Sequence, residues 1–212
     1  MSLEATHIRF ALDLQDRLHV SDRKKYISGT IYPDSRYITK IDRTLTHDPE
    51  LIRGLEDSDD FLKGIAVHYL CDKITLDIQN EWFYHLLDGE KEWGGKWWHA
   101  VTAMKIIQDI HDFSQINIES VLDDLDYVEA RHGESIEDVR TFNKAVQTMY
   151  RGMEIIGPEH AMKFWHTLGL DSERAKKVFA KTEEFLGVEK IYNLYDESLK
   201  RAKRFILEQA KI

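Results

Sequence analysis

Ser58-Asp59-Asp60-Phe61-Leu62-Lys63-Gly64-Ile65-Ala66-Val67-His68-Tyr69-Leu70-Cys71-Asp72 opens the stretch that decides the fold. Ser58-Asp59-Asp60 is a helix-start signal, because short polar side chains accept hydrogen bonds from the free N–H groups of a first turn. Beyond it, Phe61, Ile65, Leu70 and Ile74 recur at helical spacing and predict a long helix over 61–87. On that helix His68 and Asp72 stand four residues apart. Four residues turn an α-helix through about 400°, so both side chains point the same way, as two ligands to one ion would. With ten histidines in the chain, one such pair carries little weight by itself.

Working outward, the pattern stays helical. Ile8, Ala11, Leu12 and Leu18 give a first helix over 5–18. Only Pro33, Pro49 and Pro158 interrupt the chain, and two of them fall in the least periodic region. Residues 19–58 therefore read as a structured loop region with short helical pieces. After Gly94-Gly95 further helices are predicted over 96–113, 118–131, 135–156, 158–168 and 172–210. Breaks are expected near Gly133, Gly157 and Gly169, with another at Gly187 in the last stretch. Strand-like alternation is absent, so the fold class is all-α, a multi-helix bundle. Its 212 residues fit one domain, with a metal-site part over about 5–113 and a C-terminal helical part over about 114–212.

Composition narrows the function. The chain is 42% hydrophobic and 32% charged, as in a soluble globular protein. Its net charge of −9 argues against duplex nucleic acid as a partner, since that needs a basic face. A single cysteine, Cys71, rules out an internal disulfide. No apolar run is long enough for a transmembrane segment, and no basic patch followed by an apolar stretch marks a secretory signal. A cytoplasmic location is expected.

Taken alone, each candidate site residue has an ordinary explanation. Asp34, in Gly29-Thr30-Ile31-Tyr32-Pro33-Asp34, could be a turn or cap residue. His47, after Thr46 and before Asp48-Pro49, could be a surface-loop histidine. His7, beside the apolar stripe of the first helix, could be a buried histidine bonded to a carbonyl.

Their order in the chain adds weight. Thr6-His7-Ile8, Gly29…Pro33-Asp34, Thr46-His47 and Phe61-Leu62-Lys63-Gly64…His68…Asp72 follow one another over residues 6–73. This resembles the zinc-dependent phospholipase C family, which includes bacterial phospholipases C and the phospholipases D that cleave glycosylphosphatidylinositol anchors. The single-strand-specific zinc nucleases share the general ligand plan. The resemblance implies metal ligands at His7, Asp34, His47, His68 and Asp72. It also implies hydrolysis of a phosphoester, on a small molecule or a lipid, by metal-activated water. Imidazole and carboxylate suit zinc first, and iron or manganese as well. Asp34 would orient the water or accept its proton.

The chain also departs from that family. The family's further histidine, four or six residues after the helix aspartate, is replaced by Leu76 and Ile78, and no His-x-x-x-Glu pair occurs. One or two ions are therefore expected rather than three. Asp77 lies about 140° around the helix from Asp72 and points away. His99, in Trp97-Trp98-His99, is the candidate for an extra ligand or proton-transfer group; otherwise it is a core histidine. His85 is poorly phased with His68. Arg36 and Arg43, with Tyr37 and Lys40 nearby, could hold phosphate oxygens by forked hydrogen bonds, or simply form a solvated face. Trp82, Phe83, Tyr84, Trp93, Trp97 and Trp98 read as packing at a helix corner. Two other functions compete: an HD-type phosphohydrolase built on His47-Asp48 or His111-Asp112, and a non-catalytic helical protein with a vestigial site.

Overall fold

The structure, a computed structural model, describes residues 4–53, 55–87, 91, 95–169 and 171–209. Trp93 and Gly94 lie outside the described residues. Helices α1 (Glu4–Leu14) and α2 (Arg23–Ile31) lead through a 3₁₀ turn at Tyr32–Ser35 into the short α3 (Arg36–Thr39) and α4 (Arg43–Thr46). The long α5 (Asp60–Trp82) and α6 (Lys96–Ser114) follow. The chain ends in α7 (Glu119–Leu122), α8 (Ile136–Tyr150), α9 (Pro158–Thr167), α10 (Ser172–Phe185) and α11 (Leu194–Gln209). No strand occurs among the described residues, so the all-α multi-helix class holds.

Helix α5 starts where the aspartates predict, with the Asp59 side chain accepting from the backbone N–H groups of Phe61 and Leu62. Asp60 has a different task. It turns back to accept from the backbone N–H groups of Ser21 and Asp22 and from the Ser21 hydroxyl, which anchors the connection into α2. Around α5 pack α1, α2 and α11, while α6 packs against α1, α9 and α10. One apolar core runs from Ala5 in α1 to Ile206 in α11. The C-terminal helices thus complete the core around α5 and α6. Among the described residues, no helix is long and apolar enough to cross a membrane.

Several boundaries differ from the sequence expectation. The region 19–58 contains a true helix, α2, which Asp22 caps through the Lys25 N–H. Its second half is buried on every side, so it has no polar face and no helical period to read. The helix expected over 118–131 is only α7 followed by a 3₁₀ turn at Asp123–Asp126. Helix α8 stops at Tyr150 rather than 156, because Gly152 adopts a φ of +70° that ends the helical path. The last stretch does break near Gly187, into α10 and α11.

Two glycines set the distance between α2 and α5. A Cβ on Gly29 would sit 2.2 Å from the Phe61 carbonyl oxygen, and one on Gly64 would sit 2.2 Å from the Tyr26 carbonyl oxygen. Only backbone fits between the helices, so they touch directly. This contact places the carbonyl of Thr30 against the side chain of His68.

Candidate metal centre

All five predicted ligands come together, and four of them are almost fully enclosed. His7 comes from α1, Asp34 from the 3₁₀ turn after α2, His47 from the end of α4, and His68 and Asp72 from α5. Ligand atoms of His7, Asp34 and His68 lie within 4.8 Å of one another, as do those of His47, His68 and Asp72. Around the Asp72 carboxylate, Oδ2 is 3.6 Å from His47 Nε2 and 4.0 Å from His68 Nε2, and Oδ1 is 3.8 Å from His7 Nε2. The His7 and His68 rings stack at 3.9 Å. For the histidines the ordinary explanations fail: His47 is buried rather than in an exposed loop, and neither ring nitrogen of His7 has a hydrogen-bond partner. Asp34 caps no helix but does stand in a turn, the 3₁₀ turn at Tyr32–Ser35.

The proton positions of two imidazoles follow from their neighbours. His68 Nδ1 lies 2.8 Å from the Thr30 carbonyl, which can only accept, so Nδ1 carries the hydrogen and Nε2 has a bare lone pair. When the Thr46 hydroxyl donates to the Arg43 carbonyl at 3.3 Å, it accepts from His47 Nδ1 at 3.0 Å. In that arrangement His47 Nε2 is bare as well. Both Nε2 atoms are buried without a partner. Unpartnered buried acceptors are costly, and a cation satisfies them. The donor set fits a divalent metal: neutral imidazoles, carboxylates, and hydrogen bonds behind the ligands that fix their orientation.

Electrostatics keep the ligands in metal-binding form. Burial drives the pKa of His7 down to about 4 and lowers those of His47 and His68, so all three are neutral at pH 7. Burial opposes ionisation of Asp34, but the Arg36 guanidinium, bonded to Oδ1 at 2.5 Å, takes its carboxyl below the usual range. Burial likewise opposes ionisation of Asp72, and the Lys105 ammonium, at 2.5 Å, overcomes it.

The remaining predicted residues are placed as follows. Arg36 pairs with Asp34, bonds to the Pro33 carbonyl and meets the Tyr37 hydroxyl. Arg43 is exposed on α4. His99 joins neither ligand group; it borders α10 near Lys177 and Lys181, whose helix bears the Lys177 and Arg174 charges that lower its pKa after burial. Asp77 pairs with Lys73 on the exposed side of α5, and Ile78 is core. Asp48 caps the 3₁₀ turn at Pro49–Ile52. Asp112 binds the Thr6 hydroxyl and Arg9, and His111 packs edge-on against Tyr192. Neither His-Asp neighbour pair therefore forms a metal group. Phe83 and Trp98 are core, whereas Tyr84 is exposed.

Two charged residues escaped the sequence reading. Lys105, on α6, reaches Asp72 across 33 positions of chain, and no local spacing signals it. Glu4 sits one turn before His7, buried, with Oε2 unpartnered, and burial raises its pKa, with Asp34 the next contributor. No family model, no curated protein and no solved structure matches the chain.

Proposed function

We propose that this protein is a metal-dependent hydrolase of phosphoesters, resembling phospholipase C, with zinc as the first-choice ion and iron or manganese as alternatives. The observation that carries the reading is the pair of bare, buried Nε2 atoms on His47 and His68, both turned toward Asp72. Three protein ligands with a position left open are the pattern of a catalytic rather than a structural zinc site. A divalent ion supplies Lewis acidity there, which makes water a nucleophile toward phosphorus at neutral pH.

The chain's own residues divide the remaining work. Thr30 and Thr46 hold His68 and His47 in the ligating tautomer. Arg36 keeps Asp34 ionised, which suits a ligand; a carboxylate this weakly basic is a poor proton acceptor. The guanidinium of Arg36 has donors beyond those given to Asp34 and Pro33, so it can also meet a phosphate oxygen. His7, His47 and His68 are sealed from solvent, whereas the side chain of Asp72 is 14% exposed and marks the edge that substrate reaches.

The test couples elemental analysis of the purified protein to a panel of chromogenic phosphomonoesters and phosphodiesters. Bound transition metal and hydrolysis of at least one ester are expected, with both lost in His68→Ala. Protein that retains no metal, and whose melting temperature zinc does not raise, would sink the reading. Full metal occupancy in His68→Ala would show the ligand set to be wrong.

A further inference from the structure

The two oxygens of Asp72 face different neighbours. Oδ2 looks toward His47 Nε2 and His68 Nε2, at 3.6 and 4.0 Å. Oδ1 looks toward His7 Nε2, at 3.8 Å, and is gripped by Lys105 Nζ at 2.5 Å. In a two-metal site the ions lie about 3.5–4 Å apart, and a carboxylate commonly spans them, one oxygen on each. Here the second oxygen already carries a cation, and that cation is part of the chain. We propose that Lys105 takes the place of a second metal ion, so that the centre holds one divalent cation, on Asp72 Oδ2, His47 and His68. This rests on the metal reading above.

The donor inventory leads to the same count. His68 has spent Nδ1 on the Thr30 carbonyl, so it has one nitrogen to give and serves one ion. A second ion would be left with His7, Asp34 and Asp72 Oδ1. An ammonium and a divalent cation at one carboxylate oxygen repel each other strongly in so enclosed a place. Fixed charge agrees. The two site carboxylates, Asp34 and Asp72, are each paired with a cation of the protein, Arg36 and Lys105. No unpaired carboxylate remains in either ligand group, so a second divalent charge would add to the first with nothing to offset either, and Glu4 belongs to neither group. His7, with both ring nitrogens unpartnered, is then the ligand that Lys105 leaves without an ion of its own.

The experiment is a metal count on the whole chain. Wild type, Lys105→Met and Lys105→Arg are stripped with chelator, reloaded with excess zinc, desalted and analysed for zinc per protein, with thermal melts to check folding. Wild type and Lys105→Arg should retain one zinc, and Lys105→Met should retain two, because Asp72 Oδ1 is freed to join His7 and Asp34. Two zinc ions in wild type would overturn the inference and leave the hydrolase reading standing. A single zinc in folded Lys105→Met would also overturn it, since the ammonium would not then be what excludes the second ion. No zinc in wild type overturns the metal reading itself, and this inference with it. Should Lys105→Met not fold, the counts in wild type and Lys105→Arg still decide, two ions in either being the refuting result.

Discussion

Thr46 does more for His47 than its place beside it suggests. Its hydroxyl bridges the Arg43 carbonyl and His47 Nδ1; with the hydroxyl proton on the carbonyl, it receives the Nδ1 hydrogen and fixes both the tautomer and the ring plane. Valine has nearly the same shape and no hydroxyl, so Thr46→Val removes this support alone. We expect zinc affinity to fall about 10-fold or more while the melting temperature of the metal-free protein changes little. A competition titration against a zinc chelator measures it; unchanged affinity would mean that the hydroxyl does not orient the ring. At this scale much was legible in the sequence. Thr-His, Pro-Asp and His-x-x-x-Asp are local spacings, and the structure brings all five of their candidate residues together. Lys105 was not legible, because its role depends on α6 meeting α5 and leaves no mark in the residues around it. Arg36, by its charge a candidate for a phosphate oxygen or for a solvated face, turns first to Asp34, two positions away, a choice that its charge alone does not specify.

Among the elements, α2 and α5 decide whether a site forms at all. Their contact is backbone on backbone at Gly29 and Gly64, and through it the Thr30 carbonyl reaches His68. Gly64→Ala would force a Cβ to 2.2 Å from a carbonyl oxygen that cannot swing aside. The helices must separate, which costs about 3 kcal/mol and lowers the melting temperature by roughly 10 °C for a chain of this size. Zinc affinity should fall with it. Gly187→Ala, where a Cβ meets nothing within 4 Å, is the control. Equal melting temperatures for the two variants would refute the close-contact argument. The sequence carried α5 plainly, through its cap and its apolar spacing. It hid α2, because a helix buried on most sides around a glycine and β-branched residues looks like a loop.

For the whole molecule, buried titratable groups set how stability depends on pH. Burial raises the pKa of Asp109 to about 8, although it accepts from the Thr6 N–H, while an unfolded aspartate titrates near 3.8. Between pH 6.5 and 8 the folded chain therefore holds a proton that the unfolded chain has lost, and stability falls as pH rises, by up to about 1.4 kcal/mol per unit. The histidines act on the other side. With His7 at about 4 folded and 6.5 unfolded, the unfolded chain takes up the extra proton, and stability falls as pH drops below 6.5. Below pH 6.5 Asp109 and the histidines oppose each other, so the clear pH dependence of the metal-free protein is a loss of melting temperature from pH 6.5 to 8. Asp109→Asn should lose a large part of the drop between pH 6.5 and 8, the rest coming from Asp112, which burial raises to about 7, and Glu4, which burial also raises; thermal melts at the two values would read it. An undiminished drop would show that Asp109 is ionised in the fold. The core that buries these groups is closed by the C-terminal helices: the Thr75 hydroxyl meets that of Ser198, and Arg201 forks onto Glu81. That role was legible only as amphipathic spacing, since which helix faces which is set by packing.

The sealing of the three imidazoles has a consequence in time. Of the five residues Asp72 is the most open, so an ion enters and leaves along that edge. A chelator has to draw it past that one edge, so exchange is slow, and loosening the α2–α5 contact should speed it. The same glycine contact that builds the centre then also sets how fast it loads and empties.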